Sequence, residues 1–260
     1  MTDNRAARFL LPFAFGVAVI AIWEVIVSTF SIPIAILPAP SAIWAAIKGS
    51  GDILLVDWLQ TVVRGALNGL WIGTSAGVVT AIAIDRFEFL RRGLLPVANF
   101  VAALPIVGVA PIMVMWFGFD WHSKAAVVTV MVFFPILVNT LAGLQDTDRM
   151  QRDLMLTYSA NYWQTLAKLR LPAAMPFIFN GLKIAATLAL IGAIVAEYFG
   201  SPTRGMGFRI STEVGRLGID MVWAEIAVAA LSGTALYGAV TLIERGVTFW
   251  HPSQRSGRKN

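Results

Sequence analysis

The chain has 260 residues, of which 57% are hydrophobic and 13% charged, with a mean hydropathy of +0.72 and a formal net charge of +5. That is too apolar for an ordinary soluble domain and points to an integral membrane protein. The absence of cysteine excludes disulfides and thiolate sites, His122 and His251 stand too far apart to make a metal cluster, and the positive surplus reads as a topology signal rather than a nucleic-acid footprint.

In chain order, Arg5 and Arg8 precede an apolar run over 9–30 broken only by Glu24. Its start resembles a signal peptide, but its length and the missing small-x-small cleavage pattern predict an uncleaved first span. Residues 31–64, with Pro33, Pro38 and Pro40, read as an external connection carrying short interfacial helices over 41–47 and 53–63. The uncharged stretch 65–84 has the length of a second span, ended by the polar run 85–92. Residues 93–119 are again uncharged but hold Pro96, Pro105, Gly108 and Pro111, which predicts interrupted backbone. Interrupted backbone at membrane depth is tolerated when buried in protein or lining a wet cavity, and a kinked packing helix is the plainer reading. A short turn over 120–124 leads to a fourth span at 125–144. A fifth follows at 173–199 and a sixth at 221–243, separated by a polar loop with Pro202, Gly205 and Gly207, and a polar, basic tail closes the chain.

Between the fourth and fifth spans lies a charged, amphipathic interval over 145–172. Asn161 and Gln164, three residues apart, have the pattern of a capping box. Tyr162, Trp163, Leu166 and Leu169 then fall on one side of a short helix, with Gln164, Lys168 and Arg170 elsewhere. Its aromatic face either lies on the bilayer, packs on the neighbouring spans or meets a protein partner.

Six spans put both termini on one side. Arg5, Arg8, Arg86, Arg91, Arg92, Arg149, Arg152, Lys168, Arg170, Arg245, Arg255, Arg258 and Lys259 fall there, against Lys48, Arg64, Lys124, Arg204, Arg209 and Arg216 on the other. By the positive-inside rule the termini and the 145–172 loop are cytoplasmic.

Gly69, Gly73 and Gly77 repeat every four residues on the second span, as do Gly181, Ala185, Ala189 and Ala193 on the fifth. Such ridges let helices approach closely in lipid, within one subunit or between two. No P-loop, G-x-S-x-G elbow, H-E-x-x-H or paired intramembrane carboxylates appear, so the chain is read as a non-enzyme. Glu24, Lys183 and Glu197 are read as the intramembrane ionisable residues. Each is a functional candidate, against snorkelling or pairing within the bundle. Glu197 continues the small-residue ridge by one more step, which suggests a gate residue paired with Arg204 or Arg209.

The loop resembles the cytoplasmic signature of bacterial ABC importer membrane subunits, a Glu-Ala-Ala triplet followed by Gly and, nine residues on, Ile-x-Leu-Pro. Here Leu171-Pro172 closes the motif, Leu169 takes the Ile position, Ser159 the Gly position and Asp153-Leu154-Met155 the triplet. The resemblance extends to LPAPSAIWAAI from Leu37, IVGVAPIMVMWFGFDWHSKAAVVTVMVFFPILVNTLAGL from Ile106, LRLPAAMPFIFNGLKIAATLALIGAIVAEYFGS from Leu169 and RGMGF from Arg204. These stretches look like the nitrate, sulfonate and taurine branch of type I importer permeases, which also takes in permeases for pyrimidine-type vitamin precursors.

The resemblance implies an all-α membrane protein of the type I permease fold in a bacterial inner membrane. It implies a second copy of the chain, two cytoplasmic ATPase subunits that hold ATP and Mg, an extracytoplasmic solute-binding protein, and no cofactor on this chain. It divides the chain into an N-terminal span with its external connection (1–64), a permease core (65–247) and a cytoplasmic tail (248–260). Ser159, Ala160, Asn161, Tyr162, Trp163, Gln164, Leu166, Leu169 and Pro172 would then couple to the ATPase. Pro105, Gly108, Pro111, Met113, Met115 and Glu197 would line or gate the route. The competing classes are a nucleotide-independent channel or secondary transporter, which needs no coupling loop, and an intramembrane enzyme, which needs a catalytic constellation.

Overall fold

The computed structural model describes residues 5–200 and 203–249; Pro202 and the tail from residue 250, with its basic residues and His251, lie outside them. Among the described residues all regular structure is helical: α1 (Arg5–Thr29), α2 (Pro40–Gly49), α3 (Gly51–Trp58), α4 (Asn68–Arg86), α5 (Glu88–Ala102), α6 (Ile106–Phe117), α7 (Trp121–Gln145), α8 (Arg149–Thr157), α9 (Tyr162–Thr165), α10 (Leu171–Gly200), α11 (Met206–Arg216) and α12 (Ile219–Val247). Five continuous helices are long and apolar enough to cross a membrane, and the bent pair α5 and α6 makes a sixth.

Two spans are longer than the sequence suggests. A π-helical stretch, Leu59–Leu67, joins α3 to α4, so Gly51–Arg86 is one helix of 36 residues and the 53–63 piece is its outer end, not a separate interfacial helix. A second π-helical turn, Leu166–Arg170, joins α9 to α10, so Tyr162–Gly200 is one helix of 39 residues. At 1.5 Å per residue that is roughly 58 Å, longer than the hydrocarbon core is thick. The helix containing Tyr162 is therefore the foot of a span and not an isolated surface helix. The interrupted span is also corrected in detail. The break falls at 103–105, where Pro105 holds extended backbone and α6 departs at 102° to α5, while Pro96 and Pro111 lie within helices.

The core is organised on α7, which lies between α4 and α10. Gly69, Gly73 and Gly77 face Val128, Val132 and Ile136 so closely that any side chain on the glycines would collide with them. From the opposite side Ala185, Ala189 and Ala193, all without exposed surface, pack on the same stripe of α7. Both ridges thus serve packing within the subunit, a choice the sequence leaves open. By contrast α1 is almost wholly exposed. It is tied to the rest by Trp23 edge-on to Trp223 and by Glu24, whose carboxylate accepts from the backbone N–H (2.9 Å) and hydroxyl (2.7 Å) of Ser41 in the first turn of α2. A carboxylate there offsets the free amides and the dipole of a helix start.

Candidate functional site

The loop over 145–172 folds into α8, a reversal and the foot of α10. Asp148 caps α8 by accepting from Met150 N–H. The helix ends in a left-handed residue, Ser159, with φ of 53°. Ser159 N–H donates to Leu156 (2.8 Å) and Ala160 N–H to Met155 (3.0 Å), the paired bonds of a Schellman turn. This explains the glycine of the family signature: the position requires positive φ, where a side chain is strained. Asn161 then starts α9 with the expected capping box, its Oδ1 accepting from Gln164 N–H and Gln164 Oε1 accepting from Asn161 N–H, both at 2.9 Å.

The side chains after the cap divide. Tyr162 turns inward, where its hydroxyl donates to Asp85 Oδ2 at the C-terminal end of α4 (2.8 Å), and Arg86 lies over its ring. Arg170 meets both Asp85 oxygens (2.7 and 2.6 Å) and also donates from Nε to Leu144 O (2.9 Å). Leu166 is buried against Leu144, Ala174 and Ile178; Leu169 and Pro172 are half-buried. Trp163 points outward, 63% exposed, with Ser159, Asn161 and Gln164 exposed near it and Ala160 half-buried. The aromatic face inferred from spacing is therefore split. Its missing surface comes from α8, where nothing is buried and Met150, Leu154 and Leu156 are all exposed. Sequence reasoning passed over α8 because no partner within the chain covers its apolar side, and it read Asp85 only as the end of a span.

The residues expected to line the route do not converge. Gly108, Pro111 and Met115 form one exposed stripe of α6 beyond Pro105, and Met113 packs inward with Ala110, Val127 and Ala196. The cavity beside the break is walled by Leu104, Ile106 and Val109 of α6 and its approach, by Met131 and Pro135 of α7, and by Leu188 of α10.

Glu197 is elsewhere again, in a buried polar knot at the outer end of the bundle. Its Oε2 accepts from Thr61 Oγ1 (2.6 Å) and from Gly207 N–H (3.1 Å), while Oε1 has no partner among the described residues. The expected pairing with Arg209 is corrected: Arg209 donates to Asp57 Oδ2 (2.9 Å), whose other oxygen accepts from Gly205 N–H (2.6 Å). Gly205 has φ of 117°, and a side chain there would strike the Glu197 carboxylate, so only glycine seats the start of α11. Lys124, read as an external surface charge, is fully buried and donates to the carbonyls of Phe119 (2.6 Å) and Gly200 (2.7 Å). Glu225 was missed as an intramembrane acid. It lies fully buried with its carboxyl against that of Asp57, and no N–H or hydroxyl of another residue type donates to it among the described residues. Lys183 pairs with Glu244 of α12 at 2.5 Å, the bundle-pairing alternative. No cluster of metal-ligating side chains occurs among the described residues.

Residues 73–249 match the family described as binding-protein-dependent transport system inner membrane component. The formylaminopyrimidine transport permease protein of Halalkalibacterium halodurans is 30% identical over 96% of this chain and 100% of its own length. The riboflavin transport system permease protein of Chloroflexus aurantiacus is 28% identical over 89% of this chain and 86% of its own length. The taurine transport system permease protein of Escherichia coli is 26% identical, again over 89% and 86%.

Proposed function

The chain belongs to the family of binding-protein-dependent transport system inner membrane components and is a membrane-spanning permease subunit of an ATP-driven importer; from that premise we propose how its parts divide the work. It is a multi-pass inner-membrane protein and not itself an enzyme. Two copies form the route. Two cytoplasmic ATPase subunits, carrying the ATP and Mg, sit against the 145–172 loop, and a binding protein delivers solute from outside. The excess of Lys and Arg on the terminal side supports cytoplasmic termini.

One observation carries the coupling proposal: α8 exposes Met150, Leu154 and Leu156, with only Met155 half-buried, at the end of the molecule where the loop turns into one continuous 39-residue helix. An exposed apolar helix face of this kind fits a groove on a partner. Met150 and Leu154, one turn apart on α8, together with the exposed Trp163, form the docking face. Ser159 and the Asn161–Gln164 box fix the angle at which α8 meets α10. Tyr162, Leu166, Leu169, Arg170 and Pro172 anchor the foot. Displacement of α8 by the ATPase then moves α10 as a rigid body, and α10 carries it to the outer knot, where Glu197 acts from behind the route by seating α11. A stand-alone channel or carrier has no use for this arrangement.

Leu154→Asp and Trp163→Ala test it, since both residues are exposed and neither contributes to the core. Each variant is expected to keep the parental melting temperature while ATPase co-purification and binding-protein-stimulated hydrolysis fall about tenfold or more, a loss of about 1.4 kcal/mol or greater. Parental co-purification and hydrolysis in both variants would sink the coupling assignment.

A further inference from the structure

The small-residue ridge of α10 faces α7, and a stripe beside that ridge is left open. Asn180, Ile184, Thr187 and Ile191 lie along it and all are exposed. Two cavities flank this stripe. One, of about 320 Å³, lies beside the α5–α6 break and is bounded on α10 by Leu188. The other, of about 570 Å³, lies between α10, α11 and α12 and includes Thr187, Thr234 and Tyr237 in its wall.

Asn180 is the polar residue that this stripe places near the middle of the 39-residue helix, roughly 27–30 Å from either end. Its Nδ2 donates to Asn139 Oδ1 of α7 (3.0 Å), and Asn139 in turn donates to Pro135 O (2.8 Å). Asn139 thereby orients the Asn180 amide, whose second N–H and whose carbonyl oxygen have no partner among the described residues. A primary amide with half its capacity unspent is expensive against hydrocarbon, and polar groups at this depth face a bundle interior or a wet cavity. At Asn180 the stripe is therefore better suited to water or solute than to lipid.

The charges around it narrow the solute. Neither cavity wall contains an ionisable side chain other than the Tyr237 phenol. The nearest cation on the helix, Lys183, is committed to Glu244. An anion entering here would lose its hydration with no counter-charge to replace it, whereas amide and hydroxyl groups match a neutral molecule with both donors and acceptors. Resting on the permease reading, we propose that Asn180, positioned by Asn139, contacts the solute on the route, and that the route takes an uncharged hydrogen-bonding heterocycle in preference to a sulfonate or bicarbonate anion.

The chain lacks cysteine, so single thiols report directly. Asn180→Cys and Thr187→Cys, each in lipid nanodiscs, are compared with Val79→Cys, a residue on the exposed side of α4. The probes are a neutral and an anionic methanethiosulfonate, each normalised to its rate with a free thiol. A thiol in hydrocarbon does not ionise and reacts slowly. The expected result is reaction of the neutral reagent at 180 and 187 at least tenfold faster than at 79, and at least tenfold faster than the anionic reagent at the same positions. Rates at 180 and 187 no higher than at 79 overturn the placement, whether or not two copies cross-link there. Equal rates for the two reagents overturn the charge preference. The labelling needs neither ATPase nor binding protein, so failure of the importer reading shows separately, as absence of an ATPase from the purified complex.

Discussion

The two ends of α10 are both held by buried polar contacts, yet they are built differently. At the foot, Asp85 receives two bonds from Arg170 and one from Tyr162, and Arg170 uses its remaining direction on Leu144 O. Donors and acceptors match, and the ion pair is bidentate, the geometry that fixes orientation most firmly. At the outer end, Asp57, Glu197 and Glu225 are gathered around Arg209, Thr61 and three successive backbone amides of the α11 start. There, Glu197 Oε1 lacks a donor among the described residues and the Glu225 carboxyl is packed against another carboxyl, that of Asp57. The difference teaches where the molecule is stiff and where it has latitude. A satisfied pair resists displacement and transmits a push from α8, whereas an orphaned buried oxygen is a standing cost that rearrangement can relieve.

The sharpest way to break this contrast is Arg170→Ala. It strands the Asp85 carboxylate in a site with about a tenth of its surface exposed and is expected to cost about 3–5 kcal/mol. The double change Asp85→Leu with Arg170→Met is expected to recover most of the stability but not the coupling. Thermal unfolding of the detergent-solubilised chain gives the first quantity, and ATPase stimulation in the assembled complex the second. If the single change melted like the parent, the foot would not be the stiff end.

A smaller effect is expected at the outer end. Glu197→Ala leaves Thr61 Oγ1 and Gly207 N–H without their acceptor, at about 1–3 kcal/mol. Glu197→Gln keeps an acceptor oxygen for them and should cost less. The order Arg170→Ala, Glu197→Ala, Glu197→Gln in melting temperature tests the comparison directly. A Glu197→Ala loss equal to that of Arg170→Ala would make the two ends equivalent.

The smallest expected change is a gain. Ser159→Gly relieves a side chain held at positive φ and should stabilise the Schellman turn by up to about 1 kcal/mol, with coupling unchanged. A loss of stability would mean that the serine side chain, and not the backbone geometry, maintains the turn.

Much of this was legible in the chain. The capping box is a contact between residues three apart, and its two side chains announce it. The broken span is announced by its prolines, although only Pro105, with extended backbone before α6, marks the actual break. The small-residue ridges are periodic and therefore visible, but their partner is not. Val128, Val132 and Ile136 look like any apolar stripe until α4 and α10 close on α7 from two sides. Glu197 was visible on its ridge. Its partner was not: Arg209 pairs with Asp57, and Glu197 accepts instead from Thr61 and Gly207.

By itself, then, the sequence determined what depends on composition and on neighbours within a helical turn: residence in lipid, the approximate spans, the caps and the polar loop. Only the tertiary structure decided which side of each helix is closed, and hence that Asn180 is exposed while Glu197 is buried in the knot. It also decided the pairs Asp85 with Arg170 and Asp57 with Gly205, whose members lie 85 and 148 residues apart. Helical periodicity orders side chains around one axis, and the pairing of charges on different axes is set by how the helices stack, which no single period encodes.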